Sequence, residues 1–161
     1  MKKYFALLLA VLMMIPAFST AENVVKIGVF EPASGDSGAG GKQEILGMQY
    51  ANSVQPTVDI GGETYQVELV YADNGSSTDK APSAAQQLVS AGVSVVLGSY
   101  GSGVSIAASQ YFADAGIPAI GVTCTNPQVT AGNSHYFRIC FLDPFQGTVL
   151  ANYAFKELGA K

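Results

Sequence analysis

The side chains of this chain best suited to chemistry are neutral and polar, and they fall in two short groups. Tyr100-Gly101-Ser102-Gly103 follows the apolar run Val93–Leu97, and Thr123-Cys124-Thr125-Asn126 follows the run Ile117–Val122. In the first group Ser102 stands where a helix N-cap belongs, ahead of the helical run Val104–Phe112. A helix start leaves backbone N–H groups unpaired and carries partial positive charge, which suits an anion such as a carboxylate. In the second group Thr123 and Thr125 offer carbonyl and hydroxyl oxygens suited to an ammonium. Together the groups match the two charges of a free amino acid. The same atoms would also serve a well-capped helix and a polar loop that bind nothing.

Other chemistries fit the spacing poorly. Gly40-Gly41-Lys42 resembles the end of a phosphate-binding loop. However, a second glycine precedes the lysine where the pattern needs Gly-Lys directly after four spacer residues, and Gln43 replaces the hydroxyl that would hold magnesium. Gly101-Ser102-Gly103 begins a dinucleotide fingerprint, but Ile106 occupies its third glycine position, and the next strand ends at Thr123 rather than in an acid. Ser102 is not in a Gly-x-Ser-x-Gly elbow, because Tyr100 stands first. His135 is the sole histidine and could serve Ser102 or Cys124 as a base, but its loop, Gly132–His135, reads as exposed. Neither catalysis nor a cofactor is expected. Two cysteines and one histidine make no metal-ligand spacing.

The amino terminus reads as a secretory signal over residues 1–21. Lys2 and Lys3 precede an apolar run from Tyr4 to Ile15, then Pro16 and the small residues Ser19-Thr20-Ala21, with cleavage expected after Ala21. The run falls short of the ~20 residues that span a bilayer. No cysteine stands near the cleavage point for lipid attachment. Residues 22–161 then form one exported, soluble lobe, long enough for one core. Losing Lys2 and Lys3 takes the net charge from −4 to −6, which argues against nucleic acid and acidic membrane surfaces. Export also permits a disulfide between Cys124 and Cys140, expected here in preference to two free buried thiols.

Strands and helices alternate through this lobe. Val24–Phe30 is a short apolar strand, followed by the glycine-rich loop Glu31–Gly41 and an amphipathic helix over Lys42–Val54. Gly61-Gly62 turns a hairpin, and Tyr65–Tyr71 alternates as a strand near a sheet edge should. A helix capped within Ser77–Asp79 precedes the strand, turn and helix at Ser102, and Gly116 ends that helix. Tyr136–Cys140 is a further strand, and Asp143-Pro144 opens a helix whose apolar face carries Phe145, Val149, Leu150 and Phe155. The fold class expected is α/β: a parallel, Rossmann-like sheet with helices on both faces and right-handed crossovers. Gly159-Ala160-Lys161 lies where another strand should begin, so the chain reads as one lobe of something longer.

The motifs, in this order, resemble the N-terminal lobe of the leucine/isoleucine/valine-binding proteins, type I periplasmic binding proteins that feed ABC importers. The marks are Lys26-Ile27-Gly28-Val29 leading to Ser34-Gly35, Ala72-Asp73, Gly98–Ser102, and Gly116-Ile117-Pro118. Thr123–Pro127, Tyr136-Phe137-Arg138 and Asp143-Pro144-Phe145-Gln146-Gly147 complete the set. The resemblance implies a periplasmic receptor without enzymatic activity. Its ligand carboxylate would meet Ser102 and Thr125, and its ammonium the Thr123 carbonyl. Tyr100 and Gly101 would line the site, and Asp143 matches a pocket-side acid of some members. A small amino acid, branched-chain first, is the ligand implied, and a membrane permease of an ABC importer is the partner. An amide or urea-type solute receptor, or the sensing lobe of a signalling protein, is the alternative. Gly40 stands where some branched-chain receptors have a tyrosine, and Cys124 and Cys140 do not match the best-known disulfide of those receptors.

Overall fold

A computed structural model describes residues 23–161; the secretory signal expected over residues 1–21 lies outside them. The chain runs β1 (Val24–Glu31), α1 (Gly38–Val54), β2 (Thr57–Ile60), β3 (Glu63–Asp73), α2 (Ala81–Ser90), β4 (Val95–Leu97) and α3 (Ser102–Asp114). β5 (Ala119–Gly121), a 3-10 turn (Pro127–Val129), β6 (Tyr136–Arg138) and α4 (Asp143–Lys156) follow. One six-stranded sheet has the order β2-β3-β1-β4-β5-β6. Only β2 is antiparallel, as the outer arm of the Gly61-Gly62 hairpin; the other pairings are parallel. Among the described residues no helix is long and apolar enough to cross a membrane.

This order reverses direction once. From β1 the chain winds through α1 to β3 on one side, and from β3 it returns through α2 to β4 on the other. In open α/β sheets the strand ends at such a reversal leave a crevice. Right-handed crossovers in opposite directions also put α1 on one face and α2 and α3 on the other.

Residue alternation along the strands fills the α2–α3 face. Phe30 and Val96 point there, against Ala81, Ala84, Ala85 and Leu88 of α2 and Val104, Ala108 and Phe112 of α3. The Phe30 and Phe112 rings meet edge to face, with centroids 5.5 Å apart and planes at 82°. Gly28 is a glycine because Leu88, Val93 and Val96 already occupy the space a side chain would need. The opposite face is only partly covered. α1 packs on β1 and β3, and beside it Ile27, Leu69, Leu97, Ile120, Val122 and Ile139 line an open apolar groove of about 530 Å³.

α1 begins at Gly38, four residues ahead of the expected Lys42, so part of the glycine loop is a helical turn. Small residues are needed there: a Cβ at Gly41 would strike Pro32, and one at Gly40 would strike the Tyr100 ring. Of the apolar residues at helical spacing in α1, Leu46, Ala51 and Val54 are exposed, and Ile45 and Met48 are half-buried.

Candidate functional site

The carboxyl ends of β1, β4, β5 and β6 converge at the reversal. A cavity of about 400 Å³ opens there, lined by Tyr100, Thr123, Thr125, Cys140 and Phe141. The apolar groove on the sheet face is larger, but Glu44 is its one charged lining residue.

The turn carrying Tyr100 is built tightly. Gly98 has φ +117°, and a Cβ there would collide with the Phe30 carbonyl. The Tyr136 hydroxyl donates to the Gly98 carbonyl at 2.7 Å, and burial raises its pKa. Asn74 Nδ2 donates to Ser99 Oγ at 2.9 Å, and the Ser99 N–H donates to Ser105 Oγ at 3.3 Å. Ser105 Oγ in turn donates to the Gly101 carbonyl at 3.0 Å. These buried bonds fix the turn from beneath.

Ser102 is not the N-cap. Gly101, in extended backbone, holds that place, and Ser102 is the first helical residue. Its Oγ accepts the Asn126 N–H at 3.2 Å, which ties the start of α3 to the second polar group. No side-chain hydrogen bond caps the start of α3.

The second polar group is organised by a residue the motif reading left without a role. Arg138 Nη1 donates to the carbonyls of Cys124 and Asn126, both at 2.9 Å. Its Nη2 donates to the Pro127 carbonyl at 3.2 Å and to Thr130 Oγ1 at 2.9 Å. The five-donor fork of a guanidinium suits this cluster of carbonyls. The Thr125 carbonyl accepts the Asp143 N–H at 3.1 Å, which brings the start of α4 to the cavity's edge.

Thr123 and Tyr100 rest on two acids that the strand pattern alone does not flag. The Thr123 hydroxyl donates to Glu44 Oε1 at 2.5 Å, and the Tyr100 N–H donates to Glu31 Oε2 at 2.7 Å. Glu31 reads as the start of a loop in the sequence but is the buried last residue of β1. An acid closing an apolar strand is the signal that could have found it. The first loop is braced separately by Asp73. Its Oδ1 accepts the Ala33, Ser34 and Gly75 N–H groups, and its Oδ2 accepts the Ser34 hydroxyl at 2.7 Å. Burial pushes this carboxyl up, but the bonds from Ser34, Gly75 and Ala33 outweigh it and hold its pKa below the usual value.

The expected bridge between Cys124 and Cys140 is not formed; both are free thiols. Cys124 is buried against Gly121, and Cys140 lines the cavity. Burial raises the Cys124 thiol, with Ser105 opposing through a hydrogen bond. His135 pairs locally with Ser134 and makes no hydrogen bond to Ser102 or Cys124. Among the described residues no cluster of His, Cys, Asp and Glu could hold a metal.

The family model for the periplasmic binding proteins matches residues 24–161. The chain belongs to this family. Its members are solute-binding receptors rather than enzymes. Among curated proteins, Leu/Ile/Val-binding protein homolog 3 of Brucella melitensis is 33% identical over 145 residues. That match covers 89% of this chain and 39% of the relative. Among solved structures, the leucine-binding protein LivK of Thermotoga maritima superposes with a TM-score of 0.78 at 36% identity, over 84% of this chain and 38% of that one. The Streptococcus pneumoniae branched-chain amino acid transporter binding protein LivJ, solved with isoleucine, gives 0.76 at 33% identity, over 85% of this chain and 39% of that one. The chain therefore spans about two fifths of the length of the relatives it matches. The resemblance drawn from the motifs holds, and so does the α/β periplasmic-binding-protein fold.

Proposed function

We propose that residues 22–161 form the N-terminal lobe of an exported receptor that captures an amino acid, branched-chain first, and delivers it to the permease of an ABC importer. The observation that carries this reading is the uncapped start of α3 beside the Thr123–Asn126 loop, at the one reversal of the sheet. Ser102, the first-turn N–H groups of α3 and Thr125 receive the ligand carboxylate. The Thr123 hydroxyl is committed to Glu44, which leaves its carbonyl for the ammonium. Tyr100 and Gly101 form one wall, Cys140 and Phe141 the other, and Asp143 stands at the rim. Relatives named for leucine, isoleucine and valine binding support the branched-chain assignment. The signal over residues 1–21 would take the protein to the periplasm.

Calorimetric titration with leucine, isoleucine and valine tests the reading, with urea and short amides as the competing class. Ser102→Ala and Thr125→Val should each weaken amino-acid binding by about 1–3 kcal/mol, since each removes a hydrogen bond to a charged group in a sheltered cleft. Unchanged affinity in both variants would remove the pocket assignment. Binding of amides but not amino acids would replace the ligand class.

A further inference from the structure

The two acids beneath the cavity form an arrangement that neither the motifs nor the comparisons assign. Glu31 is 1% exposed at the end of β1, at the reversal of the sheet, and Glu44 faces it from α1. Their carboxyls lie within hydrogen-bonding reach of each other. Each uses one oxygen on the cavity: Glu31 Oε2 accepts the Tyr100 N–H, and Glu44 Oε1 accepts the Thr123 hydroxyl. Among the described residues the other two oxygens, Glu31 Oε1 and Glu44 Oε2, are buried and accept no N–H or O–H. Orphaned buried acceptors are rare because they are costly, and two facing carboxylates add charge repulsion. A single proton between these oxygens resolves both problems.

We propose that Glu31 and Glu44 share one proton, and that this carboxyl–carboxylate pair is the positioning element of the cavity, holding the Tyr100 turn and Thr123 at a fixed spacing. Its role in ligand capture rests on the function proposed above. Among the described residues no lysine or arginine hydrogen-bonds to either acid. Arg138 directs its guanidinium into the Cys124–Thr130 loop, and Lys26 donates to the Ala91 carbonyl. On β3, Asp73 is the register neighbour of Glu31, and its oxygens accept from Ala33, Ser34 and Gly75. On β6, Tyr136 adds only a neutral hydroxyl, bonded to Gly98, and the Cys124 thiol beyond it is neutral too. Burial, followed by the bond to Glu44, pushes the Glu31 pKa up to about 10.

The sign of the pH dependence follows. Unfolded Glu31 ionises near 4.5, whereas folded Glu31 keeps its proton to about 10. The folded state therefore holds the extra proton across that window, and its stability falls as pH rises through it. Glu31→Gln keeps the shape, accepts the Tyr100 N–H through its carbonyl and donates its amide to Glu44, with no proton to lose. Its Tm should match wild type near pH 5 and exceed it by about 3 °C or more at pH 8. Three measurements on the full chain decide the matter. Wild type should show the infrared carbonyl stretch of a protonated carboxyl at pH 7, and Glu31→Gln should lose it. The Tyr100 amide proton signal should move with pH in wild type and stay still in Glu31→Gln. The Tm difference should grow with pH. Absence of the infrared band from wild type, or equal pH slopes in wild type and Glu31→Gln, overturns the shared proton. Leucine titration of the same samples separates the two readings. An intact proton signature without leucine binding counts against the ligand and supports the pair. Leucine binding without the signature overturns the pair alone.

Discussion

Helices α3 and α4 both start at the rim of the cavity and are nearly the same length, at 13 and 14 residues, yet they end in opposite environments. α3 buries Val104, Ser105, Ala108 and Phe112 against the sheet and α2. α4 buries no residue, and its Phe145, Val149, Leu150 and Phe155 face outward. Composition does not separate them, since both are rich in apolar side chains. The difference lies in what each helix can reach. α3 lies between two parallel neighbours, β4 and β5, and the crossover returns it onto the sheet. α4 follows β6, the outer strand of the sheet, and none of its residues is buried against the lobe. An apolar stripe thus declares that a helix will be covered without saying by what.

The largest expected effect tests that contrast directly. Phe112→Ala removes a fully buried ring that meets Phe30 edge to face, and should lower stability by about 3–5 kcal/mol. Phe145→Ala removes a ring that is 64% exposed, and should stay within about 0.5 kcal/mol. Urea unfolding of both variants measures the pair. Similar losses would mean that α4 packs on this lobe in solution, which would erase the comparison.

A smaller effect sharpens it at the cavity. Arg138→Leu leaves the carbonyls of Cys124, Asn126 and Pro127 without their shared donor, and should cost about 2–3 kcal/mol. The loss belongs to the loop between the two helices. Amide exchange should therefore quicken over residues 123–130 before it changes in α2 or α3. Uniformly faster exchange would show that Arg138 supports the whole lobe and not the loop.

These contrasts also mark what could be read from the chain. The alternation of apolar strands with helical stripes predicted the parallel sheet, and the Gly61-Gly62 hairpin placed its antiparallel edge. Tyr100, Thr123 and Thr125 were legible as cavity residues because loops at strand ends are where α/β proteins gather ligand groups. The start of α1 was not legible, because Gly38-Ala39-Gly40-Gly41 reads as loop by propensity, and only the approach of Pro32 and Tyr100 explains those residues within a helix. Ser102 looked like a cap because serine often is one; the loop reached it first, through the Asn126 N–H. Glu31 and Arg138 stayed hidden for the same reason. A charge in an apolar strand gains meaning only from partners far along the chain, here Tyr100 and Glu44 for one and the Cys124–Thr130 loop for the other.

The smallest effect concerns the two thiols, which lie on either side of the same divide. Cys124 sits in the packed region, fully buried against Gly121, with burial raising its thiol pKa. Cys140 is half-buried at the cavity, shortly before the exposed helix α4. Alkylation needs both access and the thiolate form, so burial protects Cys124 twice. In the native chain Cys140 should take up an alkylating reagent without prior reduction, while Cys124 should react only after denaturation. Neither reaction should shift the unfolding midpoint much before Cys124 is exposed. Intact mass after native and denaturing alkylation reads the result. An oxidising compartment would permit the bridge expected from the sequence, so the exported protein is the sample to use. If neither thiol is modified until a reductant is added, the cysteines are bonded, and the bridge rather than burial shields Cys124. If both react natively, the packing beneath the Thr123–Asn126 loop is looser than the Arg138 bonds require.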